Sequence, residues 1–221
     1  MSNILELQDV SMIYASVKAL RDINLHVQEG EWVAIMGSSG SGKTTMMNIV
    51  GCMNKATHGT VILDGEKISR LNAKDLTAIR RDKIGLIFQQ FHLISYLTAV
   101  ENVMVAQYYH SMADEQEALA ALEQVGLSHR ARHLPRQLSG GEQQRLCIAR
   151  ALINHPKIIL ADEPTGNLDE VNQSTVMDIF HKLHGQGSTI VMVTHSPEVA
   201  AHAQRIVHLE FGRMIKDEKV A

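Results

Sequence analysis

Cysteine, long apolar runs and basic runs are all scarce in this chain of 221 residues. The two cysteines, Cys52 and Cys147, lie far apart and form no CxxC pair, so we expect buried thiols rather than a disulfide framework. The longest apolar runs, such as residues 32–36, fall well short of the ~20 residues that a membrane-spanning helix needs. The 12 histidines are scattered without the spacing of a metal site, which argues against a metal-binding role.

The charge distribution lacks the basic patch that a nucleic-acid-binding domain usually carries. The net charge is −3, and no run of five or more Lys and Arg occurs, so nucleic-acid binding is not expected. The first residues show no basic segment followed by an apolar one, so no secretory signal is expected. With 45% hydrophobic and 20% charged residues, the composition predicts a single soluble domain in a reducing compartment.

Apolar segments separated by helical patterns predict an α/β fold. Residues 4–27 mix short apolar stretches with turn residues and are expected to be rich in β-structure. Fully apolar strands that alternate with helices favour a mainly parallel sheet that is covered on both faces. The strands are predicted at 32–36, 60–65, 85–88, 157–161 and 189–193, with a closing hairpin at 206–215.

The middle of the chain, about 90–140, is predicted to be a helical insertion. Thr98 and Glu101 have the spacing of a capping box, and Asp114 and Glu117 stand in the same relation. A further helix is predicted over 170–184, with Gly185 as its stop. Another is predicted to begin at Pro197, with Ser196 as its N-cap.

A glycine-rich loop between a predicted strand and a predicted helix is the strongest motif. It matches G-x-x-x-x-G-K-[ST], whose glycines let backbone amides surround a phosphate at a helix N-terminus. Lys43 is expected to reach the β and γ phosphates, and Thr44 to offer its hydroxyl to Mg²⁺. The alternative is a flexible Gly/Ser loop, but the strand–loop–helix context favours nucleotide binding. The predicted phosphate-binding residues are Gly37, Ser38, Ser39, Gly40, Ser41, Gly42, Lys43, Thr44 and Thr45.

Two adjacent carboxylates, Asp162 and Glu163, follow the apolar strand at 157–161. In a phosphate-binding fold the first is expected to hold the Mg²⁺ shell. The second is expected to orient or deprotonate the attacking water. Many strands end in acidic turns, so the pair gains meaning only with the loop at 37–44 in the same chain.

The segment 138–143 contains a further capping box, Ser139 with Glu142. Gly140 and Gly141 leave the amides of the first helical turn bare, which predicts a second anion site. The alternative is an ordinary capped helix. If the second site is real, two copies that face each other and close each other's nucleotide sites would explain it.

These motifs, in this order and over nearly the whole chain, resemble the ABC ATPase family. The resemblance implies a P-loop NTPase with an N-terminal antiparallel β subdomain and an inserted α-helical subdomain. It implies one domain over 1–221, with a core at about 1–89 and 141–221 and a helical signature subdomain at about 90–140. The implied ligands are ATP and Mg²⁺.

The resemblance also implies roles for single residues. Tyr14 resembles the aromatic residue that stacks on adenine, and Gln89 the glutamine that touches Mg²⁺ and senses a membrane partner, although Gln90 directly follows it. Asp169 resembles the D-loop aspartate, and His195 the histidine that holds the γ-phosphate. Ser139, Gly140 and Gly141 resemble the signature that contacts ATP across a dimer. Glu163, His195 and Gln89 are thus the catalytic candidates, and Thr44, Gln89 and Asp162 the metal ligands.

Four stretches, 48–52, 88–93, 97–102 and 161–169, resemble the MacB/LolD-type branch. The branch implies a permease with a large extracytoplasmic domain as partner, seated on residues 91–96. It also implies an ATP-sandwiched homodimer, a peripheral position on the cytoplasmic face of the membrane, and no direct contact with cargo. The alternatives are a soluble ABC ATPase and an envelope-signalling subunit that moves no cargo.

One position departs from the commonest signature, which has Gln where this chain has Glu142. A carboxylate near a partner's γ-phosphate is expected to weaken ATP-driven closure, unless it faces its own helix cap.

Overall fold

Two β-sheets and seven α-helices make up the fold in the computed structural model, which describes residues 2–220. The strands are β1 (Asn3–Tyr14), β2 (Val17–Gln28), β3 (Trp32–Met36), β4 (His58–Leu63), β5 (Glu66–Lys67), β6 (Ile84–Ile87), β7 (Ile158–Asp162), β8 (Thr189–Thr194), β9 (Arg205–Glu210) and β10 (Arg213–Lys219). The helices are α1 (Lys43–Val50), α2 (Ala73–Lys83), α3 (Ala99–His110), α4 (Glu115–Gln124), α5 (Gly140–Leu152), α6 (Glu170–Gly185) and α7 (Pro197–Ala200). Three 3-10 turns lie at Ile68–Arg70, Ser128–Arg130 and Pro135–Gln137.

The larger sheet has the strand order β10-β9-β3-β8-β7-β6. Its strands from β9 to β6 are parallel, and β10 pairs with β9 in the antiparallel closing hairpin that the sequence predicts. Successive side chains of a strand point to opposite faces. Along β3, Val33 and Ile35 therefore enter one apolar core, whereas Trp32 and Ala34 enter the other. Both faces are covered, which is why this strand has no polar side chain.

The smaller sheet is antiparallel throughout, with the order β2-β1-β4-β5. Its apolar side chains share one core with Val33 and Ile35 of the larger sheet and with helix α1. The other core joins the larger sheet to residues of α3, α4, α5 and α6. The predicted α/β class, with a mainly parallel core, an N-terminal antiparallel sheet and an inserted helical segment, is confirmed.

Helix α3 begins as predicted, with both halves of the Thr98–Glu101 capping box formed. The expected second capping box is only half formed, and this prediction was wrong. The Asp114 side chain accepts from the backbone of Gln116 and Glu117, but the Glu117 carboxylate instead accepts from Gln107 Nε2 at 2.9 Å. Gln107 is buried, so its amide N–H groups need a protein acceptor, whereas the backbone N–H groups at the exposed start of α4 can bond to water.

The end of α6 also differs from the prediction. Gly185 is the last helical residue rather than the stop, and Gly187 has the left-handed φ of 90°. The backbone N–H of Ser188 then reaches back to the carbonyl of Leu183 at 3.1 Å. The terminating glycine thus lies two residues later than expected.

Both cysteines are buried, as predicted. Burial raises the pKa of each thiol to about 11, so neither is a reactive thiolate at neutral pH. Among the residues described here, none of the helices has the length and apolarity to cross a membrane. The division into core and helical subdomain remains a prediction, whose boundary near 140 falls where α5 begins.

Candidate functional site

Four parallel strands deliver the predicted catalytic groups to one edge of the larger sheet. Parallel strands share the direction of their carboxyl ends, and ligands of open α/β sheets bind just beyond those ends. The loop at 37–42 follows β3, Glu163 follows β7, His195 follows β8, and Gln89 lies two residues after β6. The register pairs Met36 with Thr194 across β3 and β8, which places these exits side by side.

A cleft of about 910 Å³ opens at this edge. It contains most of the predicted phosphate-binding residues, both carboxylates, Gln89 and His195. The lining residues are Val17, Lys18, Ala19, Arg21, Ser38, Ser39, Gly40, Gly42, Lys43, Thr44, Thr45, Gln89, Asp162, Glu163, His195, Phe211 and Gly212. Of the two adjacent glutamines, it is Gln89 rather than Gln90 that lines the cleft.

The loop depends on glycine where it enters α1. Gly42 is the N-cap, with φ 106°, and a side chain there would lie 2.7 Å from the Ala19 carbonyl oxygen. Lys43 is buried, and its Nζ donates to the carbonyl oxygens of Gly37 at 2.7 Å and Ser38 at 3.0 Å. The ammonium group is thereby held inside the loop, where it can exchange these carbonyls for phosphate oxygens.

Glu163 and His195 form a direct pair. His195 Nδ1 lies 2.8 Å from Glu163 Oε1, and since an ionised carboxylate only accepts, this contact assigns the hydrogen to Nδ1. The Glu163 side chain is 14% exposed, whereas that of His195 is 68% exposed. Glu163 also has a positive φ of 47°, and its backbone N–H donates to the Val193 carbonyl at 2.9 Å. The carboxylate is thus fixed while the imidazole faces the open cleft.

The surroundings of Asp162 disfavour its ionised form. Burial raises its pKa above the ordinary value and the charge of Glu163 raises it further, while a hydrogen bond from Thr44 and the charge of Lys43 oppose the rise. A cation bound beside Thr44 and Asp162 would relieve this cost, because it would favour the ionised carboxylate.

In the predicted phosphate loop and adenine site, three residues are not among those that line the cleft. Gly37 and Ser41 belong to the loop but pack against the protein, since a Cβ on Gly37 would meet the Leu209 carbonyl and Ser41 is buried. Tyr14 ends β1, is 42% exposed, and its hydroxyl accepts from Asn54 Nδ2 at 3.0 Å. Its adenine-stacking role remains a prediction.

The signature residues also lie away from this cleft. Ser139 is the N-cap of α5 and forms the predicted capping box with Glu142. Ser139 and Gly140 are exposed, but Gly141 is buried against Asn172 of α6. The Asn172 side chain in turn donates to Asp169 Oδ1 at 2.8 Å and Oδ2 at 3.0 Å. Asp169 is also the N-cap of α6, since its Oδ1 accepts from the backbone N–H of Asn172 at 2.8 Å. The small size of Gly141 thus serves packing as well as any exposure of amides.

The side of the cleft formed by Lys18, Arg21 and Phe211 was not predicted from the sequence. The turn between β9 and β10 is bound to β2 and to the phosphate loop, since Arg21 N donates to the Gly212 carbonyl at 2.7 Å and Gly212 N to that of Ser41 at 2.9 Å. These residues carry no local motif, and only the packing of distant segments brings them to the cleft.

Comparisons with known proteins agree with this geometry. The family model described as ABC transporter matches residues 20–166. The chain belongs to the ABC transporter family. A dimeric structure of the ATP-binding cassette MJ0796, in a post-hydrolysis state bound to ADP and Pi, is 44% identical to this ABC protein, with a TM-score of 0.91, and the match covers 98% of this chain and 99% of that one.

Curated relatives of the same family are longer proteins. Macrolide export ATP-binding/permease protein MacB 1/2 of Paracoccus denitrificans (strain Pd 1222) is 48% identical over 206 residues, which is 92% of this chain and 31% of the relative. MacB of Escherichia coli (strain K12) is 45% identical over 224 residues, which is 98% of this chain and 35% of the relative. This ABC ATPase is thus a member of the MacB/LolD-like branch and spans about a third of the length of these relatives.

The residues around Asp162 fit a magnesium ion that binds together with ATP. Within residues 2–220, no group of three or more His, Cys, Asp and Glu side chains is placed to hold a metal alone. Mg²⁺ in phosphate sites needs only one or two carboxylates, because substrate phosphates and waters complete its octahedron. The Asp162 carboxylate would be the one carboxylate, and the Thr44 hydroxyl and the Gln89 amide would add further oxygen ligands. Bound Mg²⁺ would neutralise part of the triphosphate charge.

Proposed function

We propose that this ABC ATPase binds Mg²⁺–ATP in the cleft and hydrolyses it between two copies of the chain, so as to power a membrane permease. The observation that carries the proposal is that the cleft and the signature are separate. The cleft holds a phosphate loop, two carboxylates and a histidine, whereas Ser139 and Gly140 are exposed elsewhere. A dimer would explain why the signature is exposed away from the cleft, since the signature of each copy would cover the nucleotide in the cleft of the other copy.

The contacts of single groups support the roles that we propose for them. Glu163, held by His195 and by its own backbone, would accept a proton from the attacking water or orient it. His195 directs Nδ1 to Glu163, which leaves Nε2 for an oxygen of the γ-phosphate. Lys43 would exchange the carbonyls of Gly37 and Ser38 for the β and γ phosphates, and so stabilise the charge of the transferring phosphoryl group.

The membrane partner we propose is a permease with a large extracytoplasmic domain. The names of the MacB relatives combine ATP binding with a permease, and this chain matches about a third of their length. Residues 91–96 would seat a helix of that permease. Arg150 of α5 supports this segment, because it donates to the Phe91 carbonyl at 2.9 Å and to that of His92 at 2.7 Å, while Tyr96 is 79% exposed. The chain would then lie on the cytoplasmic face of the membrane, without contact to cargo.

Dimerisation is tested with Glu163→Gln, which is expected to bind ATP without turning it over. Size-exclusion chromatography with light scattering should show a monomer without nucleotide and a dimer with Mg²⁺–ATP. Lys43→Ala in the same background is the matched control and should stay monomeric. A Glu163→Gln protein that stays monomeric at saturating ATP would contradict the sandwiched dimer.

The partner is tested by purifying tagged Glu163→Gln from membranes solubilised with ATP. We expect a permease with a large extracytoplasmic domain to co-purify. Recovery only in the soluble fraction would instead favour a soluble ABC ATPase. If a permease is found but moves no cargo in reconstituted vesicles, an envelope-signalling subunit would be favoured.

A further inference from the structure

Glu142 is held at the start of the signature helix, on the same turn as the exposed Ser139 and Gly140. Its Oε2 accepts from the Ser139 backbone N–H at 2.7 Å, and its own backbone N–H donates to Ser139 Oγ at 3.2 Å. A carboxylate at a helix N-terminus interacts favourably with the bare amides there. In this position, however, it also adds a negative charge where a phosphate is expected to arrive.

Arg130 occupies the other oxygen of this carboxylate. Arg130 lies at the end of a 3-10 turn, and its Nε donates to Glu142 Oε1 at 2.8 Å. Its NH1 lies 3.3 Å from His133 Nε2, which helps to orient the guanidinium group. The Glu142 side chain is only 13% exposed, while that of Arg130 is 36% exposed. Each Glu142 oxygen therefore has a donor, and one donor carries a full positive charge.

We propose that Arg130 is a positioning residue that offsets the charge of Glu142, so that the signature helix can bind the ATP of a second copy. The inference rests on the proposed sandwiched dimer. Without Arg130 the carboxylate would face an incoming triphosphate as a like charge, and its rotamer would be fixed only by the cap. The commonest signature, with Gln at this position, has no such charge to offset.

The experiment measures the ATP concentration that gives half-maximal dimerisation, with all variants made in the Glu163→Gln background. Arg130→Gln is expected to raise this concentration about tenfold, since an unpaired unit charge close to the phosphates is repulsive on this scale. Arg130→Gln with Glu142→Gln should return to within about twofold of the background, because the charge to be offset is gone. Arg130→Lys, which keeps the charge, should also stay close to the background.

Arg132→Gln is the matched control. Arg132 lies two residues from Arg130 and makes the same charge change when substituted, but its ion pair is with Glu115. It should leave the half-maximal ATP concentration unchanged. Thermal melting without nucleotide should show that every variant is folded, which separates loss of structure from loss of closure.

The outcomes separate this inference from the proposed function. If the Glu163→Gln background forms no dimer with ATP, both fall. If the background dimerises and Arg130→Gln behaves like Arg132→Gln, only the role of Arg130 is overturned. A double variant that is not restored, or an Arg130→Lys variant as weak as Arg130→Gln, would likewise overturn charge compensation, because Arg130 would then act through its shape or by touching the nucleotide itself.

Discussion

A methyl group added to Gly141 is expected to destabilise the protein, whereas the same group added to Gly140 is not. The two glycines are neighbours in the first turn of α5. A Cβ on Gly141 would overlap the amide group of Asn172 and lie 2.8 Å from its Cβ, whereas a Cβ on Gly140 would meet only Leu168 Cδ2 at 3.9 Å. Side-chain rotation can move the amide but not the Cβ of Asn172, so α5 and α6 would have to separate.

The size of the effect follows from three contributions. Overpacking of this kind costs about 1–3 kcal/mol. Displacing the Asn172 amide breaks its two hydrogen bonds to the Asp169 carboxylate, which cost only about 1–2 kcal/mol together because both are exposed and water can replace them. Replacing Gly by Ala in a helix returns up to about 1 kcal/mol. We therefore expect Gly141→Ala to lower the free energy of unfolding by about 1–5 kcal/mol, and Gly140→Ala to leave it unchanged or raise it by up to about 1 kcal/mol.

Urea unfolding followed by the fluorescence of Trp32 measures this difference. Trp32 is the only tryptophan, and its ring lies 6.2 Å from that of Phe180 on α6, so its emission reports on the element that Gly141 contacts. The cost of Gly141→Ala should shrink by more than half in an Asn172→Gly background, where the overlapping side chain is gone. Equal unfolding free energies for the two alanine variants would refute the packing argument.

Three further predictions concern the cleft and the fold. Glu163→Gln is expected to lower phosphate release about 10²- to 10⁴-fold while the Kd for ATP stays near that of the wild type, and substantial remaining hydrolysis would contradict its role. Tyr14→Ala is expected to raise the Kd for ATP about tenfold in calorimetric titrations, whereas Tyr14→Phe should bind like the wild type; an unchanged Kd in Tyr14→Ala would mean that the base packs elsewhere. A hydrogen bond from Arg205 holds the pKa of Asp217 below its ordinary 3.8, so ionised Asp217 stabilises the fold fully above that pH, and the stabilisation is lost as the pH falls through the lowered value. In urea unfolding, the wild type should therefore exceed Asp217→Asn in stability at neutral pH and approach it progressively below pH 3.8, and a difference independent of pH would contradict the assignment.

Much of the fold was predictable because its signals are local. A strand with an apolar centre, such as the one predicted at 189–193, and a reciprocal cap such as Thr98 with Glu101 depend on residues that are close in sequence. The prediction that Gly185 stops helix α6 was wrong because the end of this helix is not set locally. Helix length there depends on how the next segment returns to the sheet, and the glycine two residues later meets that need.

In the candidate site, too, some residues have a local sequence signal and others do not. The sequence alone predicted the phosphate loop, the Asp162–Glu163 pair and His195, because each lies at or just after the end of a strand whose direction places it at one edge. Only the tertiary structure decided that Lys18 and Phe211 line the cleft, that Asn172 requires a glycine at 141, and that Arg130 pairs with Glu142. The physical reason is that these contacts join segments from 12 to almost 200 residues apart, and their partners are set by the packing of sheets and helices rather than by any pattern along the chain.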